Sequence, residues 1–192
     1  MKLFHGSSVG NIHTLEPRLA DHERPYIYLS ENDVVASFYI VNAVERPYYW
    51  FPYGFSRNKI PIYHELYPNA LREVAEGHTG FLYQVDAGQN QVTPFLDIPG
   101  AWLGTEAISV IRSIFISNAY DYFLDLESQN RLIIWRFDHW APEQLTQWYD
   151  KIVDYLEKKN MIATPGCSYA MFIKDKLPQV WGNYENRCKS HL

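Results

Sequence analysis

The feature that most constrains the fold of this chain is its first strand and the residues that follow it, Lys2-Leu3-Phe4-His5-Gly6-Ser7-Ser8. A short apolar segment brings a histidine to the strand end, and the glycine lets the backbone turn sharply and approach a ligand closely. Two hydroxyl residues come next. This order is typical of a pocket where main-chain groups and an imidazole hold a polar small molecule. It also fits an ordinary strand with a surface histidine, because short motifs often occur by chance.

Composition limits the classes of partner. The chain has 192 residues, of which 47% are apolar, so it suits one large domain or one domain with a small appendage. Its 17 basic and 22 acidic residues form no basic stripe, which argues against duplex nucleic acid as the main partner. The N-terminus lacks an apolar leader and no stretch approaches membrane-spanning length, so we expect a cytoplasmic protein without a membrane partner.

Cys167 and Cys188 are the two cysteines, and neither belongs to a CxxC motif or a zinc-ligand pattern. We expect free thiols in a reducing compartment, with a bond between the two as the alternative.

The residue pattern predicts an α+β domain over 1–140 and a C-terminal helical appendage over 141–192. Caps and apolar periodicity indicate helices at 32–44, 69–76, 119–128 and 143–159. Strand-forming residues indicate strands at 2–8, 26–30, 60–66, 80–86, 106–117 and 132–137. We expect a loop or short helix at 9–25, turns at 87–100, and irregular structure with one more short helix at 160–192. The aromatic loop at 46–58 is either a lid over a pocket or a packed surface loop.

Three features lie at the ends of predicted strands. The first is the His5-Gly6-Ser7 turn, and the second is Tyr28, which is followed eleven residues later by Tyr39 on the next helix. The third is Glu106, which opens a late strand. With fifteen tyrosines such spacing arises easily by chance. Glutamates and aspartates elsewhere are rivals to Glu106, namely Glu65, Asp86, Asp97 and Glu127.

In these motifs the chain resembles the His-Tyr-Glu branch of the ADP-ribosyltransferase superfamily, which includes diphtheria toxin and the poly(ADP-ribose) polymerase catalytic domains. The resemblance covers roughly residues 2–117. It implies split antiparallel β-sheets with flanking helices, NAD as the substrate and no metal. Cleavage of the nicotinamide–ribose bond develops positive charge on the ribose. Such a site needs a slot for the flat ring, a grip on the ribose hydroxyls and a nearby carboxylate.

The resemblance also implies residue roles. The rings of Tyr28 and Tyr39 would sandwich nicotinamide, and the Gly6 backbone would pair with its carboxamide. Glu106 would hold the ribose 2′-OH and stabilise developing charge. The predicted catalytic residues are thus Glu106 and His5, and the predicted NAD-binding residues are His5, Gly6, Ser7, Arg18, Tyr28, Ser37 and Tyr39. One departure concerns Ala36, which stands where the polymerase pattern has a carboxamide-binding serine: either Ser37 takes over, or nicotinamide binding is weaker.

We therefore expect an NAD-consuming enzyme, a mono-ADP-ribosyltransferase or an NAD glycohydrolase, with the acceptor open between protein, nucleic acid, small molecule and water. A catalytically inactive protein of the same fold, binding a nucleotide or a protein partner, is the alternative. A surface for a protein partner would lie in 141–192 or in the 47–55 loop. A metal-dependent hydrolase is disfavoured, because no two histidines are spaced i, i+4 or as HxH.

Overall fold

The computed structural model describes residues 1–19, 24–41, 54–95 and 98–190. The predictions for the 47–55 loop and for Asp97 therefore fall mostly outside the described residues, which resume at Gly54. The chain divides into two compact units, one of Met1–Val44, Phe51–Tyr63 and Leu71–Ile134 and one of Glu45–Trp50, His64–Ala70 and Trp135–Leu192.

The described elements alternate short strands with short helices, which confirms the α+β class. The strands are β1 (Lys2–Ser7), β2 (Thr14–Leu15), β3 (Ile27–Ser30), β4 (Gly54–Phe55), β5 (Pro61–His64), β6 (Gly80–Asp86), β7 (Val92–Pro94), β8 (Ala101–Gly104), β9 (Ile108–Ile116) and β10 (Ile133–Trp135). The α-helices are α1 (Asp33–Ser37), α2 (Ala70–Ala75), α3 (Ala119–Ser128), α4 (Pro142–Lys158), α5 (Ser168–Lys176) and α6 (Pro178–Ser190).

A large antiparallel sheet organises the first unit, in the order β2-β9-β6-β1-β3-β8-β7, and a small sheet has the order β10-β5-β4. β1 is central and is matched to β6 along its whole length, from Lys2 opposite Asp86 to Ser7 opposite Phe81. Against β3 it is matched at one position only, Phe4 opposite Ser30. The sheet is therefore continuous on one side of β1 and joined by a short ladder on the other.

Alternation along the strands builds the core. Leu3 and Val85 on the central strands pack with Leu15, Ile27 and Ile108, all of them buried. Since successive side chains of a strand point to opposite faces, His5 and Ser7 share the face of Leu3, whereas Phe4 and Gly6 lie on the other face. β1 continues through Gly6 to Ser7, so His5 and Gly6 lie within the strand, and the turn expected at Gly6 is wrong.

The helix after β3 begins as the sequence predicts but ends earlier. The Asn32 side chain accepts hydrogen bonds from the main-chain nitrogens of Val34 and Val35 and so caps α1. The regular helix stops at Ser37, and a 3₁₀ turn spans Phe38–Ile40. Four consecutive residues of α1 are buried, 34–37, so tertiary packing rather than an amphipathic stripe holds this short helix.

Other expectations are corrected by the structure. Thr14–Leu15 and an isolated bridge between Arg18 and Tyr26 add strand structure to 9–25, where a loop or short helix was expected. The turn-rich segment contains β7, and β8 precedes Glu106, where no separate strand was expected. The end of the chain forms two helices, α5 and α6, rather than one. These elements are short or weakly amphipathic, so their patterns are too brief to read from sequence.

The second unit packs its three helices through Val153, Leu156, Ile173 and Val180, which are fully buried. Arg187 on α6 binds Asp154 at 2.7 Å and Asp150 at 3.3 Å on α4. Cys167 and Cys188 are both free thiols, as expected. In the part of the chain that the structure describes, no helix is long and apolar enough to cross a membrane.

Candidate functional site

A cavity of about 130 Å³ opens in the first unit where β1, β2 and β3 approach one another. The lining residues are one histidine, two hydroxyl residues, two tyrosines, two residues of opposite charge and three aliphatic residues, and Tyr28 meets His5 through its main-chain oxygen. The lining residues are His5, Ser7, Ile12, Thr14, Leu15, Glu16, Arg18, Tyr26, Ile27 and Tyr28. A cavity with apolar walls and a few converging polar groups is what a small polar ligand requires.

His5 is the best-defined polar group of the cavity. Its Nδ1 lies 2.9 Å from the main-chain oxygen of Tyr28. A carbonyl oxygen only accepts hydrogen bonds, so Nδ1 must carry the proton and donate it. Burial lowers the pKa of His5; the Tyr28 hydrogen bond opposes this shift, and the positive charge of Arg18 adds to it. The ring is therefore neutral at pH 7, and Nε2 keeps a lone pair that can accept a hydrogen bond.

The segment between β1 and β2 forms a wall of the cavity, and Tyr83 on β6 fixes it through two hydrogen bonds. The buried Tyr83 hydroxyl donates to the Val9 carbonyl at 2.8 Å and accepts from the Ile12 nitrogen at 3.4 Å. Gly10 lies so close to Phe81 that a Cβ there would be 2.7 Å from the ring. These contacts fix the path of the chain into β2 and so the positions of Thr14 and Glu16.

The same wall continues to Arg18, which exchanges main-chain hydrogen bonds with Tyr26 at 3.1 and 3.0 Å. This bridge ties the end of the segment to the beginning of β3 and sets Glu16 and Arg18 at the mouth of the cavity. Both side chains are exposed, and no ion pair within 4.0 Å joins these two described residues. Each charge is thus available to a ligand.

Gly6 lies between two cavity-lining residues of β1, but it faces the other side of the sheet, where α1 crosses β1 closely. A Cβ at this position would lie 2.0 Å from the Ala36 carbonyl oxygen and 3.3 Å from the Cβ of Tyr39. Met1 exchanges two main-chain hydrogen bonds with Ala87, so the odd residues of β1 bond to β6 and the even ones face β3. The main-chain groups of Gly6 accordingly point to the side of β3, beyond the last register pair.

The structure brings together some of the predicted site residues and not others. His5, Ser7, Arg18 and Tyr28 line the cavity, whereas Gly6 and Tyr39 lie close to each other on the opposite face of β1. Ser37 is fully buried and its hydroxyl donates to the Val34 carbonyl at 2.7 Å within α1. Glu106 is exposed between β8 and β9 and is not among the described residues that line the cavity.

The rival acids lie elsewhere. Asp86 binds the N-terminal ammonium group, Glu65 is buried in the second unit, Glu127 lies on α3, and Asp97 is outside the described residues. The carboxylate that does line the cavity, Glu16, was missed by sequence reasoning, as were Thr14 and Tyr26. The signal was the strand-like Thr14–Leu15 pair before Glu16, which is too short to recognise without its partner β9.

Comparisons of the chain with models of protein families, with curated proteins and with solved structures found no significant match. Among the described residues, no group of three or more His, Cys, Asp or Glu side chains is arranged to hold a metal ion.

Proposed function

We propose that this chain is an NAD-consuming enzyme of ADP-ribosyltransferase-like fold, acting as a mono-ADP-ribosyltransferase or an NAD glycohydrolase. The observation that carries the proposal is that four residues predicted to bind NAD, His5, Ser7, Arg18 and Tyr28, line one cavity. These residues come from three segments of the chain, so their convergence is a property of the fold rather than of sequence proximity.

The state of His5 suits the ribose of NAD. Since its Nδ1 is committed to the Tyr28 carbonyl and the ring is neutral, Nε2 can accept a hydrogen bond from a ribose hydroxyl. Arg18 at the mouth supplies positive charge for the diphosphate. A ligand with hydroxyls near His5 and an anion near Arg18 matches both groups.

The region between β1 and β3 suits the nicotinamide ring. One step beyond the Phe4–Ser30 pair, the register would set Tyr28 opposite Gly6 on the same face of the sheet. Tyr39 lies on that face too, since its Cβ is 3.3 Å from where a Gly6 Cβ would be. These two rings lie on the face of the sheet away from His5, so nicotinamide would reach them between β1 and β3, past the last paired position. There the Gly6 main chain offers amide groups for the carboxamide.

The test is nicotinamide release from NAD, followed by chromatography, together with NAD binding by calorimetry. We expect slow release by the wild-type chain and at least tenfold less by His5→Leu, because the ribose hydroxyl loses its hydrogen-bond acceptor. His13→Gln, an exposed histidine outside the cavity lining, is the control and should match the wild type. Loss of nicotinamide release in Glu106→Gln would support Glu106 as the catalytic carboxylate. A chain that neither binds NAD nor releases nicotinamide would refute the proposal.

A second candidate is a protein of the same fold that binds NAD or a related nucleotide without reacting. Two observations favour it: Glu106 does not line the cavity, and the Ser37 hydroxyl is already bonded to Val34. The two candidates differ in one result. NAD binding by calorimetry with no nicotinamide released over hours supports the binding protein, whereas steady release supports the enzyme.

A further inference from the structure

The cavity holds one carboxylate among its lining residues, and it is Glu16 rather than Glu106. Glu16 follows Leu15, whose buried side chain anchors β2 in the core opposite Ile108 of β9. The anchor fixes the backbone next to Glu16, while the side chain itself is exposed at the mouth. A charged group on a fixed backbone at a cavity mouth can act on a ligand without a rearrangement of the fold.

Three other carboxylates of the first unit have partners elsewhere. Glu31 accepts a hydrogen bond from the indole nitrogen of Trp102 at 2.9 Å, and Asp33 binds Arg131 at 2.7 Å. Asp86 is held by the N-terminal ammonium group. Glu16 is in none of these pairs, and its charge faces the same space as His5 and Arg18.

Glu16 and Arg18 together present opposite charges two residues apart. A ligand that satisfies both has an anionic part and a cationic part, and NAD has a diphosphate and a cationic nicotinamide ring. We propose that Glu16 is the carboxylate that contacts the nicotinamide riboside of NAD and favours its positive charge. This inference rests on the proposed function and assigns the acid of that site.

The step that Glu16 assists can be written in full for hydrolysis. The bond between ribose C1′ and the ring nitrogen breaks, its electron pair passes to nitrogen, and nicotinamide leaves neutral. Positive charge then resides on the ribose, next to the Glu16 carboxylate. The oxygen of water bonds to C1′ and loses one proton, which Glu16 accepts and passes to solvent. The products are nicotinamide, ADP-ribose and one proton.

The test compares NAD with NADH, because the two share the diphosphate and riboses but only NAD has a cationic ring. Calorimetry on the full chain should show that Glu16→Gln weakens NAD binding about tenfold and changes NADH binding less than threefold. Glu16→Asp keeps the charge and should retain the preference for NAD. Glu143→Gln, an exposed acid at the start of α4, is the control and should leave both affinities unchanged. Nicotinamide release should fall at least tenfold in Glu16→Gln and stay unchanged in Glu143→Gln.

The outcomes separate this inference from the proposed function. If Glu16→Gln weakens the binding of NAD and NADH equally, or changes neither affinity, then Glu16 does not contact the cationic ring and the inference is wrong. If nicotinamide release also continues in Glu16→Gln and is lost in Glu106→Gln, the proposed function stands with Glu106 as its acid. A wild-type chain that binds neither nucleotide would overturn both. Loss of the NAD preference in a chain that releases no nicotinamide would still support Glu16 as the contact.

Discussion

At the scale of single residues, the chemistry of the site depends on His5, whose two ring nitrogens have different hydrogen-bonding roles. Nδ1 of His5 is fixed by the Tyr28 carbonyl, which orients the ring and determines the tautomer. Burial and Arg18 both lower the His5 pKa. A neutral ring is an acceptor at Nε2 throughout the neutral pH range, so ligand binding at His5 requires no change of protonation near pH 7.

The lowered His5 pKa makes stability depend on pH. In the unfolded chain His5 binds a proton near its ordinary value of about 6.5, whereas the folded chain resists protonation to lower pH. The unfolded state therefore binds more protons below pH 6.5, and stability falls as the pH drops through and below that value. We expect the melting temperature to be flat from pH 8 to 7 and to decline toward pH 5, with a smaller decline in His5→Gln.

His64 contributes to the same pH dependence, because burial and Lys151 lower its pKa too. The decline should therefore shrink in His5→Gln rather than vanish. Calorimetric melting at several pH values measures it, with His13→Gln as the exposed control. Equal declines in the wild type and in His5→Gln would contradict the lowered pKa.

The close crossing of α1 over Gly6 yields a second prediction at this scale. In Gly6→Ala the new Cβ would lie 2.0 Å from the Ala36 carbonyl oxygen, which is main chain and cannot turn aside. We expect a loss of about 1–3 kcal/mol in the free energy of unfolding, measured by urea denaturation. Gly182→Ala is a matched control, since nothing lies within 4 Å of its new Cβ inside α6, and it should stabilise the chain slightly. Equal stability of Gly6→Ala and the wild type would show that α1 moves freely over β1.

At the scale of elements, the sequence predicted the helix beginnings that depend on neighbouring residues. The caps Asn32 and Asn118 and the proline at the start of α4 mark helix beginnings that the structure confirms. β2 and β8 pair with β9 and β3 far along the chain, and β7 has only three residues, so local patterns could not show these strands. The same reason explains the site: His5, Ser7 and Tyr28 lie in clear strands, whereas Glu16 follows a two-residue strand that pairs with β9.

The buried Tyr83 hydroxyl helps to hold the segment between β1 and β2. Tyr83→Phe removes the bonds to the Val9 carbonyl and the Ile12 nitrogen but keeps the ring in the core. We expect a loss of about 1 kcal/mol in stability and weaker NAD binding, because the wall that carries Glu16 and Arg18 is less well fixed. Tyr149→Phe loses one comparable bond, to the Leu66 carbonyl in the second unit, and should lower stability without changing NAD affinity. Equal NAD affinities in both variants would exclude Tyr83 as the support of the wall.

At the scale of the whole molecule, every cavity-lining residue belongs to the first compact unit. A ligand that binds only there stabilises that unit by mass action, by about 2.7 kcal/mol at a hundred times its dissociation constant. The second unit has its own core, around Leu156 and Val180, and shares none of the lining. We therefore expect a bound ligand to slow hydrogen exchange in the first unit and to leave exchange in the second unit unchanged.

Hydrogen exchange with and without NAD measures this difference. We expect slower exchange in peptides covering 3–18 and 26–30, because NAD closes the cavity over His5 and fixes the wall segment, and unchanged exchange in 168–190 of α5 and α6. The same experiment on Arg18→Gln should lose most of the protection, since the diphosphate loses its cation, whereas Arg112→Gln on exposed β9 should keep it. Protection confined to 168–190 would locate the nucleotide site in the second unit and would contradict the assignment of this cavity.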